Sequence, residues 1–176
     1  GLGDEALRQG NPRLVRCSIT GFGRTGPDAD RPGYDLILQG ESGIMDITGE
    51  ADGPPTKVGT SIADLVTGLY ASQAVLAALM RRERTGIGGR VDVSMLDAMA
   101  SLLTFNAGMY FASGESPKRR GNVHPTISPY ETFQASDGWI NLGVANDKFW
   151  SLFCDVIGGK DLEADPRFRT APQRAA

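Results

Sequence analysis

Histidine is nearly absent from this chain. His124 stands alone, which argues against a histidine-built metal site and against a Ser-His-Asp triad. Cysteine is almost as scarce. Cys17 and Cys154 lie far apart and in no C-x-x-C pattern, so they read as packing residues in a reducing compartment, and the expectation is a cytoplasmic protein. Blocks of like charge are missing too. The longest basic clusters are Lys118-Arg119-Arg120 and Arg81-Arg82, and the net charge is −3 with a pI near 5.2. No nucleic-acid surface is expected from such a balance. A catalyst built from this composition would use carboxylates, hydroxyls or backbone dipoles, and no metal.

The chain also opens without methionine and without a signal-peptide pattern. Its first residues, "GLGDEALRQGNPRL", read as the end of a helix followed by a turn. The expectation is an internal piece of a longer protein. The most membrane-like run, Ile62 to Met80, carries Asp64, Thr67, Ser72 and Gln73. It reads as a buried core helix of a soluble protein, and no membrane partner is expected.

What is present is ordinary globular material: 176 residues, 40% hydrophobic and 22% charged, enough to bury a core. Leu14 to Thr20 reads as a buried strand. Tyr34 to Asp46 reads as a short helix broken near Gly43, and "TGEADGPPTKVG" as loop. The strongest helix signal is residues 61–84, with Thr60 and Ser61 as cap candidates, arginines in the last turn and Gly86 as a left-handed C-cap. "GRVDVSM" reads as a strand and Leu96 to Phe111 as a second long helix. Residues 112–129, "ASGESPKRRGNVHPTISP", are polar and rich in Pro and Gly. Tyr130 to Gln134 and Trp139 to Val144 then flank "ASDG" as a hairpin. Asn146 caps a helix with apolar positions Phe149, Trp150, Phe153, Val156 and Ile157, ended by Gly158 and Gly159. The expected organisation is an α/β unit over residues 1–111, a linker over 112–129, and the start of a small α+β unit over 130–176.

One motif needs care. Gly21, Gly23 and Gly26 spell G-x-G-x-x-G after the first strand. The dinucleotide fingerprint requires those glycines to turn a strand straight into a helix, so that the helix N-terminus faces the pyrophosphate. Here Pro27 to Gly33 follow, with two prolines and a glycine, and no helix can start there. Asp46, twenty residues past Gly26, imitates the ribose-binding acid by chance. The stretch reads as a glycine-rich loop leaving a strand.

Asp64 is the carboxylate that stands out. It is the one acid between Ser61 and Arg82, and it lies in the first turn. Desolvation there would favour the neutral form, while the free N–H groups and the helix dipole favour the anion. A carboxylate held ionised by peptide dipoles can attack an activated acyl carbon. The plain alternative is a first-turn acid that only complements the dipole. Tyr34 reads locally as an aromatic packed at a helix start, and Arg31 as solvated. Arg119, Arg120, Asn122 and His124 could meet an anionic group, though a solvated loop explains them as well. Asp92 and Asp97 read as turn or surface acids.

Taken together, these stretches resemble the family III CoA-transferases, which include formyl-CoA transferase and carnitine CoA-transferase. "NPRLVRCSITGFGRTGP", "GYDLILQGESGIMDITGEADGPPTKVG", "SIADLVTGLYASQAVLAALMRRERTGIGGRVDVSMLDA" and "RRGNVHPTISPYETFQASDGWINLGVANDKFW" are each similar to successive family segments. The resemblance implies part of a Rossmann-like large domain and the entry to a small domain. It implies Asp64 as the nucleophile that takes an acyl group from a CoA thioester as an aspartyl anhydride. It implies Arg31, Gly33, Tyr34 and Met95 as contacts to coenzyme A, and a homodimer of interlocked chains. A lysine that some formyl-CoA transferases carry near Arg31-Pro32 is lacking, which speaks against formyl-CoA/oxalate exchange, and the overall wording is closer to members that use dicarboxylic acyl groups such as succinyl. The family also holds α-methylacyl-CoA racemases, whose catalytic histidine aligns with Tyr34. A phenol titrates near ~10 and exchanges protons poorly at neutral pH. The alternatives to an active transferase segment are therefore a racemase, which Tyr34 opposes, and a truncated piece that only folds and associates.

Overall fold

A computed structural model describes residues 3–176. Gly1 and Leu2, where the expected helix end would open, lie outside the described residues. The described residues form two compact units. The first runs to Thr48 and resumes over Pro55–Pro117, and the second combines Gly49–Pro54 with Lys118–Ala176.

The first unit is α/β. Helix α1 (Asp4–Gly10) precedes strand β1 (Val15–Thr20). Asp4 holds α1 to the strands, accepting from Arg16 Nη1 at 2.8 Å and pairing with Arg90. The chain then crosses through helices α2 (Asp35–Glu41) and α3 (Ile62–Thr85) to strand β2 (Gly89–Ser94). β2 pairs parallel with β1, Val15 opposite Gly89 and Thr20 opposite Ser94. A parallel pair needs a long crossover, and the helices supply it. Helix α4 (Met95–Ala100) follows β2 directly and α5 (Thr104–Ser113) comes next. Leu38, Ile44, Ala63, Met95 and Met99 form the buried core. That core lies where α2, the start of α3 and α4 meet.

Several sequence expectations need correction. β1 is only half-buried, with Ile19 51% exposed; it pairs with β2 and packs against α3. The run from Leu96 to Phe111 is two helices, separated by a 3₁₀ turn over Ser101–Leu103 and by Thr104 at φ 42°. α3 is not a buried helix. Only Ala63, Thr67 and Ala71 are buried along it, although by length and apolar composition it matches a membrane span. It is covered along one stripe, by β1, β2, α2 and α4, and Leu65, Leu69, Leu76 and Met80 are exposed.

The G-x-G-x-x-G stretch is a loop with turns. Gly23 and Gly26 have φ of 89° and 92°, which glycine adopts without a Cβ clash. Ala29 and Arg31 donate back to Gly26 and Asp28, and no helix begins between Thr20 and Asp35.

In the second unit, strands β3 (Tyr130–Gln134) and β4 (Trp139–Gly143) form an antiparallel hairpin. Its turn closes with Ala135 N–H donating to Gly138 O at 2.8 Å. Helix α6 (Asp147–Ile157) follows, capped by Asn146 Oδ1, which accepts from Phe149 N at 3.0 Å. Gly158 ends it at φ 69°. Short helices α7 (Lys160–Ala164) and α8 (Ala171–Ala175) complete the unit. Val144, Trp150 and Cys154 are its buried centre, and desolvation pushes the Cys154 thiol pKa up. The loop Gly49–Pro54 joins this unit through two bonds, Gly121 N–H to Gly49 O at 2.8 Å and Arg119 Nε to Gly53 O at 3.1 Å. The polar stretch 112–129 is thus divided: residues 112–117 belong to the first unit, where α5 ends at Ser113, and residues 118–129 to the second.

Candidate active site at the first turn of α3

Asp64 is the third helical residue of α3, and it is exposed. The helix starts there because Ser61 leaves helical geometry at φ −74°, ψ 68°, and Leu65 N–H makes the first return bond, to Ser61 O at 3.1 Å. Ser61, the expected cap, makes no side-chain cap hydrogen bond. The acceptor comes from another helix. Asp35 Oδ1 accepts from Ala63 N at 2.9 Å, satisfying a first-turn donor that has no partner within α3. Ala63 itself is fully buried, and its carbonyl accepts from Thr67 Oγ1 at 2.6 Å. One residue further, the chain surfaces and presents Asp64.

Gln39 completes the arrangement. It is fully buried. Its Nε2 donates to Asp35 Oδ2 at 2.8 Å and to Thr60 O at 3.4 Å, and its Oε1 accepts from Val58 N at 2.8 Å. The amide orientation follows from these partners, since a backbone N–H faces one end and two acceptors face the other. Asp35 and Gln39 escaped the sequence reading. Their signal was a polar pair four apart, D-x-x-x-Q, on the buried side of an otherwise apolar helix.

The other predicted residues have different surroundings. Tyr34 precedes α2 and is 68% exposed. Tyr34 and Asp64 each neighbour, in sequence, one of the two residues joined by the Asp35–Ala63 hydrogen bond. Gly33 packs backbone to backbone on Gly21: a Cβ built on Gly33 would lie 2.4 Å from Gly21 Cα and 3.2 Å from Met95 Sδ. Met95 is a core residue, 7% exposed. Arg31 is already paired. It bonds Glu41 through both terminal nitrogens, approaches Asp28 at 3.4 Å, and stacks 4.1 Å from the centre of the Phe22 ring. Its charge ties the glycine loop to α2. Arg119 donates to Gly53 O, and His124 Nδ1 accepts from Thr126 N at 3.2 Å.

What this arrangement offers chemically is an exposed carboxylate at the positive end of a 24-residue helix, on a turn held from behind by a buried polar network. A solvent-facing carboxylate is free to act as a nucleophile.

Comparison with known proteins gives this geometry its setting. The sequence profile described as CoA-transferase family III matches residues 1–176. The chain is 46% identical over 176 residues to the succinate–glutarate CoA-transferase of Agrobacterium fabrum, covering 100% of this chain and 44% of that protein. It is 46% identical over 167 residues to the succinyl-CoA:mesaconate CoA-transferase of Haloarcula hispanica, covering 93% of this chain and 42% of that one. Among solved structures, a CAIB/BAIF family protein from Brucella suis superposes with a TM-score of 0.82 at 46% identity, over 99% of this chain and 46% of that one. The chain thus spans less than half the length of these relatives, with an α/β arrangement matching the solved neighbours. It belongs to CoA-transferase family III.

Proposed function

We propose that the protein carrying this segment moves coenzyme A from an acyl-CoA thioester to a carboxylic acid, with Asp64 as the covalent nucleophile. The observation that carries this reading is the exposed Asp64 carboxylate on the first turn of α3, in a chain similar to enzymes named for CoA transfer between acids. In the first step the Asp64 carboxylate attacks the thioester carbonyl. The C–S bond breaks, CoA leaves as the thiolate, and a mixed anhydride remains on Asp64. The thiolate then attacks the Asp64 side of that anhydride. The donor acid departs and an aspartyl-CoA thioester forms. The acceptor carboxylate attacks this thioester, regenerating thiolate and a new anhydride. Attack of the thiolate on the acceptor acyl carbon frees Asp64 and releases the new acyl-CoA.

Dicarboxylic acids are the substrates this reading favours, because both relatives described above are named for succinyl or glutaryl chemistry. This reading sets the segment Arg31 to Tyr34, which leads into α2, against coenzyme A. Gly33 contributes its backbone there and Tyr34 an exposed ring, and Met95 supports Gly33 from beneath.

The test uses the intact polypeptide with succinyl-CoA and glutarate. Transfer should be detected, and hydroxylamine should convert the activated Asp64 carboxyl to a hydroxamate, releasing the acid or CoA, which mass spectrometry locates. Asp64→Ala should lose roughly 10³-fold or more in kcat, as removal of a covalent nucleophile does. Turnover by Asp64→Ala at the parental rate would overturn the assignment. In the same samples, deuterium should not wash into the α-carbon of a 2-methylacyl-CoA. Asp64-dependent exchange there would point to racemase chemistry instead.

A further inference from the structure

We infer that Asp35 and Gln39 are positioning residues for Asp64, a clamp that fixes where the nucleophile's carboxylate points. The inference rests on Asp64 being the nucleophile, as proposed above. Its own evidence is the network. Val58 N–H donates to Gln39 Oε1, Gln39 Nε2 donates to Asp35 Oδ2, and Ala63 N–H donates to Asp35 Oδ1. The segment from Val58 to Ala63 is thereby gripped at both ends by one face of α2. Asp64 is the next residue along.

The network has a direction. Gln39 is buried and its amide cannot turn over, because Val58 N–H needs an acceptor and Thr60 O lies beside Nε2. Asp35 must therefore accept at both of its oxygens. An asparagine there would aim an NH₂ group either at Gln39 Nε2 or at Ala63 N–H. A half-satisfied buried network shifts to relieve the mismatch, and the shift would move the first turn of α3. A local serine cap would have been enough to start the helix. Using a partner 28 residues away instead ties the Asp64 turn to the Tyr34 side of the site.

The polarity supplies the experiment. In the intact polypeptide, Asp35→Asn should slow formation of the Asp64 acyl adduct roughly tenfold to a hundredfold, the scale expected for a small misplacement of a reacting group. The KM for the acyl-CoA should stay within about twofold, since the donor's contacts are untouched. Gln39→Glu should do the same by setting two carboxylates face to face. The double variant Asp35→Asn with Gln39→Glu restores donor-to-acceptor polarity between positions 35 and 39 and gives up only the long bond to Thr60 O, which Gln39 Nε2 meets at 3.4 Å. The amide introduced at position 35 keeps its oxygen on Ala63 N–H and donates its NH₂ to one oxygen of the carboxylate introduced at position 39. The other oxygen of that carboxylate accepts from Val58 N–H. Most of the adduct rate should return. Amide hydrogen exchange at Ala63 should quicken in each single variant and slow again in the double.

Single variants that form the adduct at the parental rate, or a double variant no faster than the singles, would overturn the clamp. So would a raised KM with unchanged adduct rate. If the parental protein forms no adduct, the nucleophile assignment fails. The Ala63 exchange rates then still decide whether the clamp holds the turn.

Discussion

Gly21 and Gly33 touch through their backbones, and that contact sets how the chain passes from β1 into α2. A Cβ at Gly21 would lie 2.6 Å from Gly33 Cα and 2.8 Å from Gly33 N. Both obstructions are main-chain atoms, which cannot swing aside as a side-chain tip can. Gly21 O also accepts from Leu96 N at 2.9 Å, so the same residue fastens the start of α4. Gly26 is a different kind of glycine, with φ of 92° and nothing within 4 Å of an added Cβ. Gly21→Ala is expected to cost about 1–3 kcal/mol, as forced overpacking does. Gly26→Ala should cost about 1 kcal/mol, the penalty of a left-handed backbone alone. Urea unfolding of the two variants tests the ranking. A Gly21→Ala protein as stable as its parent would refute the close-contact argument.

Helix ends in this chain are set both by local residues and by distant partners. α3 ends where Gly86, at φ 74°, returns its N–H to Arg82 O at 2.8 Å, and Arg81 Nη2 reaches Gly88 O at 2.7 Å. α6 starts on its own asparagine. Its packing depends on α8, whose Arg174 side chain is 2% exposed. Arg174 bonds Asp147 at 2.8 Å, Phe168 O at 3.0 Å and Ser128 O at 3.3 Å, and lies 5.1 Å from the Trp150 ring centre. One planar guanidinium thus joins α6, α8 and the strand entry. Lysine, a point charge, cannot reproduce three separate directions. Arg174→Ala should destabilise the second unit by about 2–3 kcal/mol, through two orphaned carbonyls and lost packing. Arg174→Lys should recover less than half of it. Thermal unfolding followed by Trp fluorescence reads both, and full recovery with lysine would contradict the geometry.

Across the whole molecule, apolar surface is the conspicuous property. Leu65, Leu69, Leu76 and Met80 recur along one stripe of α3, each more than half exposed, and Phe111 is 82% exposed. Exposed apolar area of this extent is normally covered. These relatives are more than twice as long as this segment. Residues 1–176 expressed alone are therefore expected to associate, as dimers or larger species. Replacing Leu65, Leu69, Leu76 and Met80 together with glutamine should shift the population toward monomer. Light scattering with chromatography measures it. A monodisperse monomer before any substitution would show that the stripe does not drive association.

The sequence by itself determined what depends on near neighbours. Gly43 breaking α2, Gly86 and Gly158 ending their helices, Asn146 starting α6 and the hairpin around "ASDG" are all set by residues within a few positions of one another. The same locality excluded a dinucleotide fingerprint at Gly21 to Gly26, because two prolines follow. Asp64 was legible as a lone acid on an apolar helix and through family resemblance. Tertiary structure decided what depends on distant partners. Ser61 looked like the cap of α3, yet Asp35 takes that place from 28 residues away. Gln39 drew no reading from the sequence, and only the fold shows it buried with bonds to Asp35 and Val58. Arg31 looked solvated, and Glu41 and Asp28 pair with it. Loop Gly49–Pro54 joined the second unit through Arg119 and Gly121. A helix cap or a turn is chosen by backbone geometry that four or five residues define. A hydrogen bond across the fold requires a particular packing of α2 on α3, and no local pattern encodes that distance.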